Sequence, residues 1–369
     1  MLTLFPRCAD ARARPDSVSR APRMSTIAVS PSPPSATQFA LGIGLTNECN
    51  LACSFCYRDP TRVDRLSLAQ VTSVIGRLPV RSVNLGTGEN GMHPEFGAIL
   101  HYLRKQSLKL TITSNGRSIE VLDDRDVVAF KDVEFSLDYP TRDEQDRQRG
   151  AGNWDLLHEQ AARCRRLGVP VTFIAVMMKA NYDRLAEVAR IAKVYDAPLR
   201  TNVYQAVRSD AFALTYDEYW AGFERLLAET DVIAIGEPLV RAMAGMPPRS
   251  GGCGVATVRV TPRATVQPCV YWPGAGAPLD VLLDLGPEIV DTKAFEATRA
   301  VPSPCLDCSF RSTCAGGCAG RRRLLNALDQ PDPYCPVVRG ENRRVAARMA
   351  QARELPKLES ACTTIVVAR

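Results

Sequence analysis

Three cysteines in the first third of the chain have a spacing suited to an iron–sulfur cluster. Cys49, Cys53 and Cys56 form a CxxxCxxC pattern in NECNLACSFCYRD, shortly after the apolar run FALGIGLT. A [4Fe–4S] cube held by three thiolates leaves one iron with an open coordination position, which indicates chemistry at the metal rather than storage. The alternative is a zinc site, but zinc would require a fourth ligand nearby and a compact knuckle. Here an apolar strand and a β/α series flank the triplet.

A second group of seven cysteines lies in the C-terminal part of the chain. Four of the seven follow the spacing CxxCx5CxxxC. Reduced thiols are expected in a cytoplasmic protein, so metal binding is favoured over disulfides for both groups. The alternative of a zinc ribbon over residues 305–335 would not use all seven residues. The seven are Cys253, Cys269, Cys305, Cys308, Cys314, Cys318 and Cys335.

The elements that must position these cysteines alternate between short apolar runs and amphipathic stretches. We predict strands near 39–45, 82–86, 108–113, 132–137, 169–176 and 199–204, and helices near 66–77, 95–106, 118–130, 153–167, 181–194 and 215–229. Eight such β/α units would close a barrel. The predicted fold class is therefore α/β, a partial (β/α)6 TIM-like barrel with a C-terminal cysteine-rich domain, and the functional loops are expected at the C-terminal ends of the strands.

The composition changes along the chain suggest four segments. Residues 1–36 are rich in Pro, Ser and Arg and are expected to form a disordered tail, with Met1 and Met24 as alternative starts. We assign 37–235 to the barrel, 236–355 to a metal-held domain that includes a helical segment near 338–353, and 356–369 to a C-terminal tail. Metal is expected to hold the second domain because few of its segments bury enough apolar surface to fold unaided.

The charge of the chain gives no indication of a charged partner. Its 46 basic and 40 acidic residues give a net charge of +6 that is spread along the sequence, so we expect neither a nucleic-acid nor a membrane partner. The sequence has no apolar run long enough to span a bilayer and no secretory h-region. We therefore expect a cytoplasmic protein.

The cysteine triplet after the first strand, with Phe55 directly before Cys56, resembles the motif of the radical S-adenosylmethionine (SAM) superfamily. The resemblance implies that the open iron binds the amino and carboxylate groups of SAM. It also implies that the reduced cluster passes an electron to the sulfonium. Cleavage of a C–S bond then gives a 5′-deoxyadenosyl radical that abstracts hydrogen from the substrate.

The loops after the later strands extend this resemblance. NLGTGEN resembles the family's Gly-Gly-Glu-Pro loop, with Thr87 and Asn90 replacing its first Gly and its Pro, and it implies that Glu89 accepts from the ammonium of SAM. Arg149 is implied to bind the methionine carboxylate. Asn181 is expected either to face the adenosine or to cap a helix. The full set of implied SAM contacts is Thr87, Gly88, Glu89, Ser114, Asn115, Ser136, Asp138, Arg149 and Asn181.

The seven later cysteines are similar to those of the SPASM domain, which carries two auxiliary [4Fe–4S] clusters. The resemblance implies that Cys253, Cys269 and Cys318 bind the nearer cluster, which then lacks one cysteine ligand. It implies that the distal cluster is held by Cys305, Cys308, Cys314 and Cys335. Together with the SAM-binding cluster this gives three [4Fe–4S] clusters and about twelve irons. One departure from the pattern is Ala264, where the family has Gly.

The implied function is a net oxidative modification of a peptide or protein, as in maturases of ribosomally made peptides or of sulfatases. The alternatives are a small-molecule dehydrogenase or epimerase of natural-product or cofactor biosynthesis, and a non-enzymatic electron carrier. We expect an electron donor such as flavodoxin or ferredoxin, and recognition by the barrel or by a separate peptide-recognition protein. Arg200, Asn202 and Tyr204 are candidates for the barrel lumen. No acid–base residue can be assigned from the sequence.

Overall fold

The computed structural model describes residues 38–248, 252–351 and 364–368. Its strands are β1 Phe39–Ile43, β2 Val80–Leu85, β3 Lys109–Ser114, β4 Asp132–Ser136, β5 Val171–Met177, β6 Leu199–Val203, β7 Asp231–Ile235, β8 Thr257–Val260, β9 Thr265–Gln267, β10 Ala277–Pro278, β11 Arg348–Met349 and β12 Thr364–Val367. The α-helices are α1 Leu68–Arg77, α2 Phe96–Arg104, α3 Arg117–Glu120, α4 Asp124–Val127, α5 Arg142–Arg149, α6 Asn153–Arg166, α7 Leu185–Val194, α8 Tyr216–Glu229, α9 Pro238–Met243, α10 Leu279–Leu285, α11 Lys293–Arg299, α12 Arg311–Cys314 and α13 Ala319–Leu324. Short 3₁₀ turns occupy Asn90–Met92, Gly286–Asp291, Ser303–Cys305 and Val337–Arg339.

All strands described belong to one sheet in the order β10-β9-β8-β1-β2-β3-β4-β5-β6-β12-β7-β11. Strands β1 to β6 are parallel and adjacent in chain order, and helices connect them. The six predicted β/α units and the mixed α/β class are therefore confirmed. In the described residues the sheet is open, with β10 and β11 at its edges.

Local signals explain where several helices begin. Ser67 caps α1 and forms a capping box with Gln70, and Thr215 does the same for α8 with Glu218. The helix predicted at 118–130 is divided into α3 and α4, because Asp123 caps a new helix by accepting from the amide of Asp126. Strand β1 is buried over its whole length, as is typical of parallel strands covered on both faces.

The cysteine-rich region extends the sheet that contains β1 to β6. Strand β8 pairs in parallel with β1, and β9 pairs antiparallel with β8. Val258, Val266 and Phe295 belong to the same buried core as residues of β1 to β6. This region therefore buries apolar surface against β1 to β6.

Two segments near the C-terminus differ from the predictions. Thr364–Val367, assigned to a tail, forms the antiparallel strand β12 between β6 and β7. The helix predicted near 338–353 is not present in the part of that segment that the structure describes, which contains the end of one 3₁₀ turn and the short strand β11. The N-terminal tail predicted for residues 1–36 lies outside the described residues. No helix in the described ranges is long and apolar enough to cross a bilayer.

Candidate functional site

A cavity of about 470 Å³ lies where the C-terminal ends of β1 to β6 meet. It is lined by the three thiols of the first motif, Cys49, Cys53 and Cys56. Cys253 and Cys269 from the C-terminal region line the same cavity. The fold thus brings the first cysteine group and part of the second to one space.

The cysteine loop after β1 is held by hydrogen bonds to its backbone. Arg58 donates to the carbonyl oxygens of Asn47 (3.0 Å) and Leu51 (2.5 Å). The side chain of Asn47 in turn accepts from the amide of Asp64 at 2.8 Å. Burial raises the pKa of the Cys49 thiol to about 11, so metal binding must displace its proton.

The donor set of this loop fits an iron–sulfur cluster. In a [4Fe–4S] cube each thiolate ligates a different iron, so the three ligands surround the cube rather than meet at one ion. Cys49, Cys53 and Cys56 all line the cavity. In the described ranges no three His, Cys, Asp or Glu side chains converge as ligands of a single metal ion.

Gly88 lies directly against the cysteine loop. Its φ is +63°, and a Cβ at this position would lie 2.6 Å from the carbonyl oxygen of Glu48 and would overlap that of Thr46. Both neighbours are backbone atoms just before Cys49, so only glycine fits here. Thr87 also has a positive φ, +82°, and its hydroxyl hydrogen-bonds the Tyr57 hydroxyl at 2.8 Å.

Glu89 is buried and does not line the cavity. One carboxylate oxygen accepts from the Ser114 hydroxyl (2.5 Å) and the Ser118 amide (2.7 Å), and the other accepts from the Asn115 amide (2.9 Å). Burial raises the pKa of Glu89, and these hydrogen bonds oppose that shift. The carboxylate therefore joins the β2 loop to the end of β3, and its role as acceptor from the ammonium of SAM stays a prediction.

Ser114, Asn115 and Ser136 line the cavity at the ends of β3 and β4, where the sequence analysis expected them. The side-chain amide of Asn115 donates to Cys49 Sγ at 3.5 Å and to the Asn50 side chain at 2.9 Å. Asn115 therefore links the end of β3 to the first cysteine.

Asp138 and Arg149 form a buried ion pair beside the second cysteine. Arg149 donates from Nε (2.8 Å) and Nη2 (2.7 Å) to one oxygen of Asp138, which is fully buried. Arg149 lines the cavity, whereas Asp138 does not. The guanidinium also lies 5.3 Å from the ring centre of Phe55, and the Cys53 thiol donates to the Arg149 carbonyl oxygen at 3.7 Å. Asp138 therefore orients a guanidinium at the cavity wall.

Asn181 is fully buried and does not line the cavity. Its side chain accepts from the Met178 amide at 2.8 Å and donates to the carbonyl oxygens of Asp138 and Val176, both at 3.0 Å. It does not cap α7, whose first residue follows Arg184. Asn181 thus connects the loop after β5 to Asp138, so the capping role is wrong and the contact with the adenosine stays a prediction.

The later cysteines form two neighbourhoods. A Cβ on Gly320 would lie 3.5 Å from Cys269 Sγ and 3.8 Å from Cys318 Sγ, so these two thiols flank one glycine. Burial, followed by the neighbouring Cys335 and Cys308, raises the pKa of Cys305 to about 11. The pKa of Cys314 is raised to about 12, mainly by burial and further by Cys335, Cys308 and Cys305.

The cavity is also lined by polar residues of the strands that the sequence analysis only partly identified. Arg200, Asn202 and Tyr204 line the cavity as expected. Sequence reasoning missed Glu134, which pairs with Arg200, and Arg259 of β8, which also lines the cavity. Alternation along β4 and β8 is the one signal that could have indicated them.

A family model described as the radical SAM superfamily matches residues 43–192. The mycofactocin maturase MftC of Mycobacterium tuberculosis is 28% identical over 344 residues, covering 85% of this chain and 85% of that protein. The PqqA peptide cyclase of Ruegeria pomeroyi is 25% identical over 353 residues, covering 87% of this chain and 91% of that protein.

Solved structures show the same fold. Streptococcus suis SuiB bound to S-adenosylmethionine has a TM-score of 0.61 at 17% identity, covering 81% of this chain and 77% of that chain. Native anSMEcpe with bound AdoMet has a TM-score of 0.62 at 16% identity, covering 81% of this chain and 94% of that chain. These likenesses support the arrangement of the sheet and helices.

Proposed function

Because the chain carries a radical SAM superfamily domain over residues 43–192, we propose that it is an enzyme that uses SAM to carry out a net oxidative modification of a peptide. The observation that carries this proposal is the single cavity lined by Cys49, Cys53 and Cys56. The peptide as substrate is supported by the names of two relatives that share most of their length with this chain, a peptide cyclase and a maturase. Bound at this site, a [4Fe–4S] cluster and SAM would supply reductive C–S cleavage and hydrogen abstraction.

The residues of this chain bind and orient the reactants. Gly88 lets the β2 loop approach the cysteine loop. Arg149, held by Asp138, offers its guanidinium to the methionine carboxylate of SAM. Ser136 and Asn115 complete the wall at the ends of β3 and β4. Glu89 acts behind this wall as a positioning residue.

The second group of cysteines is proposed to hold two auxiliary clusters within a SPASM-type region. Cys253, Cys269 and Cys318 would ligate the nearer one, which is supported by two of these thiols lining the cavity and two flanking Gly320. Cys305, Cys308, Cys314 and Cys335 would ligate the distal one. An electron donor such as flavodoxin or ferredoxin, and a separate peptide-recognition protein, remain proposed partners.

The experiment is the release of 5′-deoxyadenosine by anaerobically reconstituted, reduced protein supplied with SAM. Host extract is added as a peptide fraction or as a small-metabolite fraction. We expect the peptide fraction to stimulate release. Stimulation by metabolites alone would favour a small-molecule dehydrogenase or epimerase instead.

A matched pair of cysteine variants provides the control. Cys56→Ala should abolish release, whereas Cys164→Ala removes a thiol buried in α6, away from both groups, and should retain release. No release from protein that holds about twelve irons would contradict the proposal and favour an electron carrier.

A further inference from the structure

Helix α13 carries three consecutive arginines shortly after Cys318, and the fold buries two of them. Arg321 and Arg322 are buried, whereas Arg323 is exposed. Arg322 is one of the largest fully buried side chains of the described residues, with 1% of its surface exposed. A guanidinium stays protonated in proteins, and a buried charge is costly unless an anion compensates it. Each of the two buried arginines therefore requires negative charge nearby.

Arg321 is paired with two buried acids of the protein. Its Nη2 lies 3.0 Å from Glu237 and 2.6 Å from Asp332, and its Nε donates to both oxygens of Asp332 at 3.0 Å. Burial raises the pKa of Glu237, which leaves Asp332 as the main counter-charge. Asp332 also accepts from the amide of Cys318 at 2.8 Å. The charge of Arg321 is therefore compensated by side chains of the protein itself.

Arg322, the next residue of the helix, has no carboxylate partner among the described residues. Its Nη1 donates to the carbonyl oxygen of Leu328, and its Nη2 donates to that of Ala300 at 3.2 Å. Its Nε is buried and makes no hydrogen bond. Peptide carbonyl oxygens accept these hydrogen bonds but carry no net charge, so the positive charge of Arg322 is buried without an ion pair.

The groups that surround Arg322 belong largely to the second group of cysteines. Burial lowers the pKa of Arg322, and the groups that oppose this shift are, from the largest effect to the smallest, Asp332, Cys318, Cys305 and Asp329. Asp332 is already bound by Arg321, and Asp329 is exposed to water. The two thiols that remain belong one to each of the two proposed cluster sites. Arg322 thus lies next to ligands of both sites.

The proposed clusters would supply the negative charge that Arg322 lacks. A [4Fe–4S]²⁺ core bound by three or four thiolates is an anion, and its reduction adds one more negative charge. A fixed cation in a buried site favours the more negative form. We propose that Arg322 is the buried counter-charge of the two auxiliary clusters and raises the reduction potential of both. This inference rests on the proposed function, in particular on its auxiliary clusters, and assigns to Arg322 the control of their potentials.

The test titrates the auxiliary clusters alone. When Cys49, Cys53 and Cys56 are all changed to Ala, the iron that remains is bound by the second group of cysteines. Reduction of this parent protein is followed by electron paramagnetic resonance at fixed potentials, without SAM or peptide. In the parent with Arg322→Met, we expect the equilibrium constant for reduction of each cluster to fall at least about tenfold. This corresponds to a potential lower by at least about 59 mV for one electron.

Two further variants separate the charge of Arg322 from its packing. Arg323→Met is the matched control, because Arg323 lies on the same helix and is exposed, and it should leave both potentials unchanged. Arg322→Lys keeps the positive charge and should keep both potentials close to those of the parent. Iron analysis, with about eight irons per chain expected, checks cluster assembly. If Arg322→Met binds less iron, compensation by charge predicts that Arg322→Lys restores it.

Four results would overturn the inference. They are an unchanged potential of either cluster in Arg322→Met, potentials that fall equally in Arg322→Lys, an equal fall in Arg323→Met, and a parent protein without iron in the second group of cysteines. The last result would remove the auxiliary clusters from the proposed function. Release of 5′-deoxyadenosine is measured on the full protein with all its cysteines, so a failure here is distinguishable from a failure of the SAM chemistry.

Discussion

The contact between Gly88 and the cysteine loop gives the sharpest quantitative prediction, for Gly88→Ala. An alanine at φ +63° is held in the left-handed region, which costs roughly 1–2 kcal/mol. Its Cβ would also press on the carbonyl oxygens of Glu48 and Thr46, and such overpacking costs typically about 1–3 kcal/mol. The neighbours are backbone, so no side chain can rotate away. The free energy of unfolding should fall by roughly 2–5 kcal/mol.

The assay has two readouts. Thermal unfolding of the cluster-free protein should show a melting temperature lower by on the order of 10 °C. Binding of SAM to the reconstituted protein should weaken at least about tenfold, since the loop that carries Cys49 must move. Gly97→Ala, at a helix position where an added Cβ has open space, is the control and should change neither quantity by much.

The reasoning would be refuted by a Gly88→Ala protein that has the same melting temperature as the wild type and binds SAM with unchanged affinity. That result would mean that the cysteine loop tolerates displacement at no cost. A loss of SAM binding without a loss of stability would show that the loop moves freely and that its position matters for the cofactor alone.

Three further predictions concern Glu89, Cys56 and Asp132. Glu89→Ala should lower the free energy of unfolding by roughly 3–5 kcal/mol, because the Ser114 hydroxyl and the Asn115 and Ser118 amides lose their acceptor; an unchanged melting temperature would contradict this. Cys56→Ser should leave about eight of about twelve irons per chain by iron analysis, and an unchanged iron content would exclude the first cluster site. Burial, and next the nearby Glu134, raise the pKa of Asp132 to about 7, whereas the pKa of an Asp side chain in the unfolded chain is near 4. Ionisation of Asp132 therefore destabilises the fold as the pH rises from about 4 to about 7. Asp132→Asn should therefore raise the melting temperature more at pH 8 than at pH 4, by an amount equivalent to at most about 4 kcal/mol, and an equal effect at both pH values would count against it.

Local patterns in the sequence were sufficient for the β/α units. The six predicted strands agree with β1 to β6 to within a few residues, because a strand shows itself as a continuous apolar run when both faces are buried, as in β1, and as an alternating run when one face is buried, as in β3 and β6. The cysteine motif followed from spacing, and Gly88 and Ser136, which lie after β2 and at the end of β4, were implied by the family resemblance. These features depend on neighbours in the chain, which a sequence displays directly.

Long-range contacts decided the rest. From the sequence, a carboxylate in a loop could bind a ligand or could hold two loops together by hydrogen bonds. Only the tertiary structure shows that Glu89 accepts hydrogen bonds from Ser114, Asn115 and Ser118. The pairing of β12 between β6 and β7, and of β8 with β1, joins residues more than a hundred positions apart. The close packing of the Arg259 side chain against Gly42 also results from the pairing of β8 with β1. The sequence by itself thus determined which chemistry the cysteines favour and which units carry them. Which polar groups reach the cavity was decided only by tertiary packing, because a hydrogen bond or a clash depends on atoms that the chain brings together from distant positions.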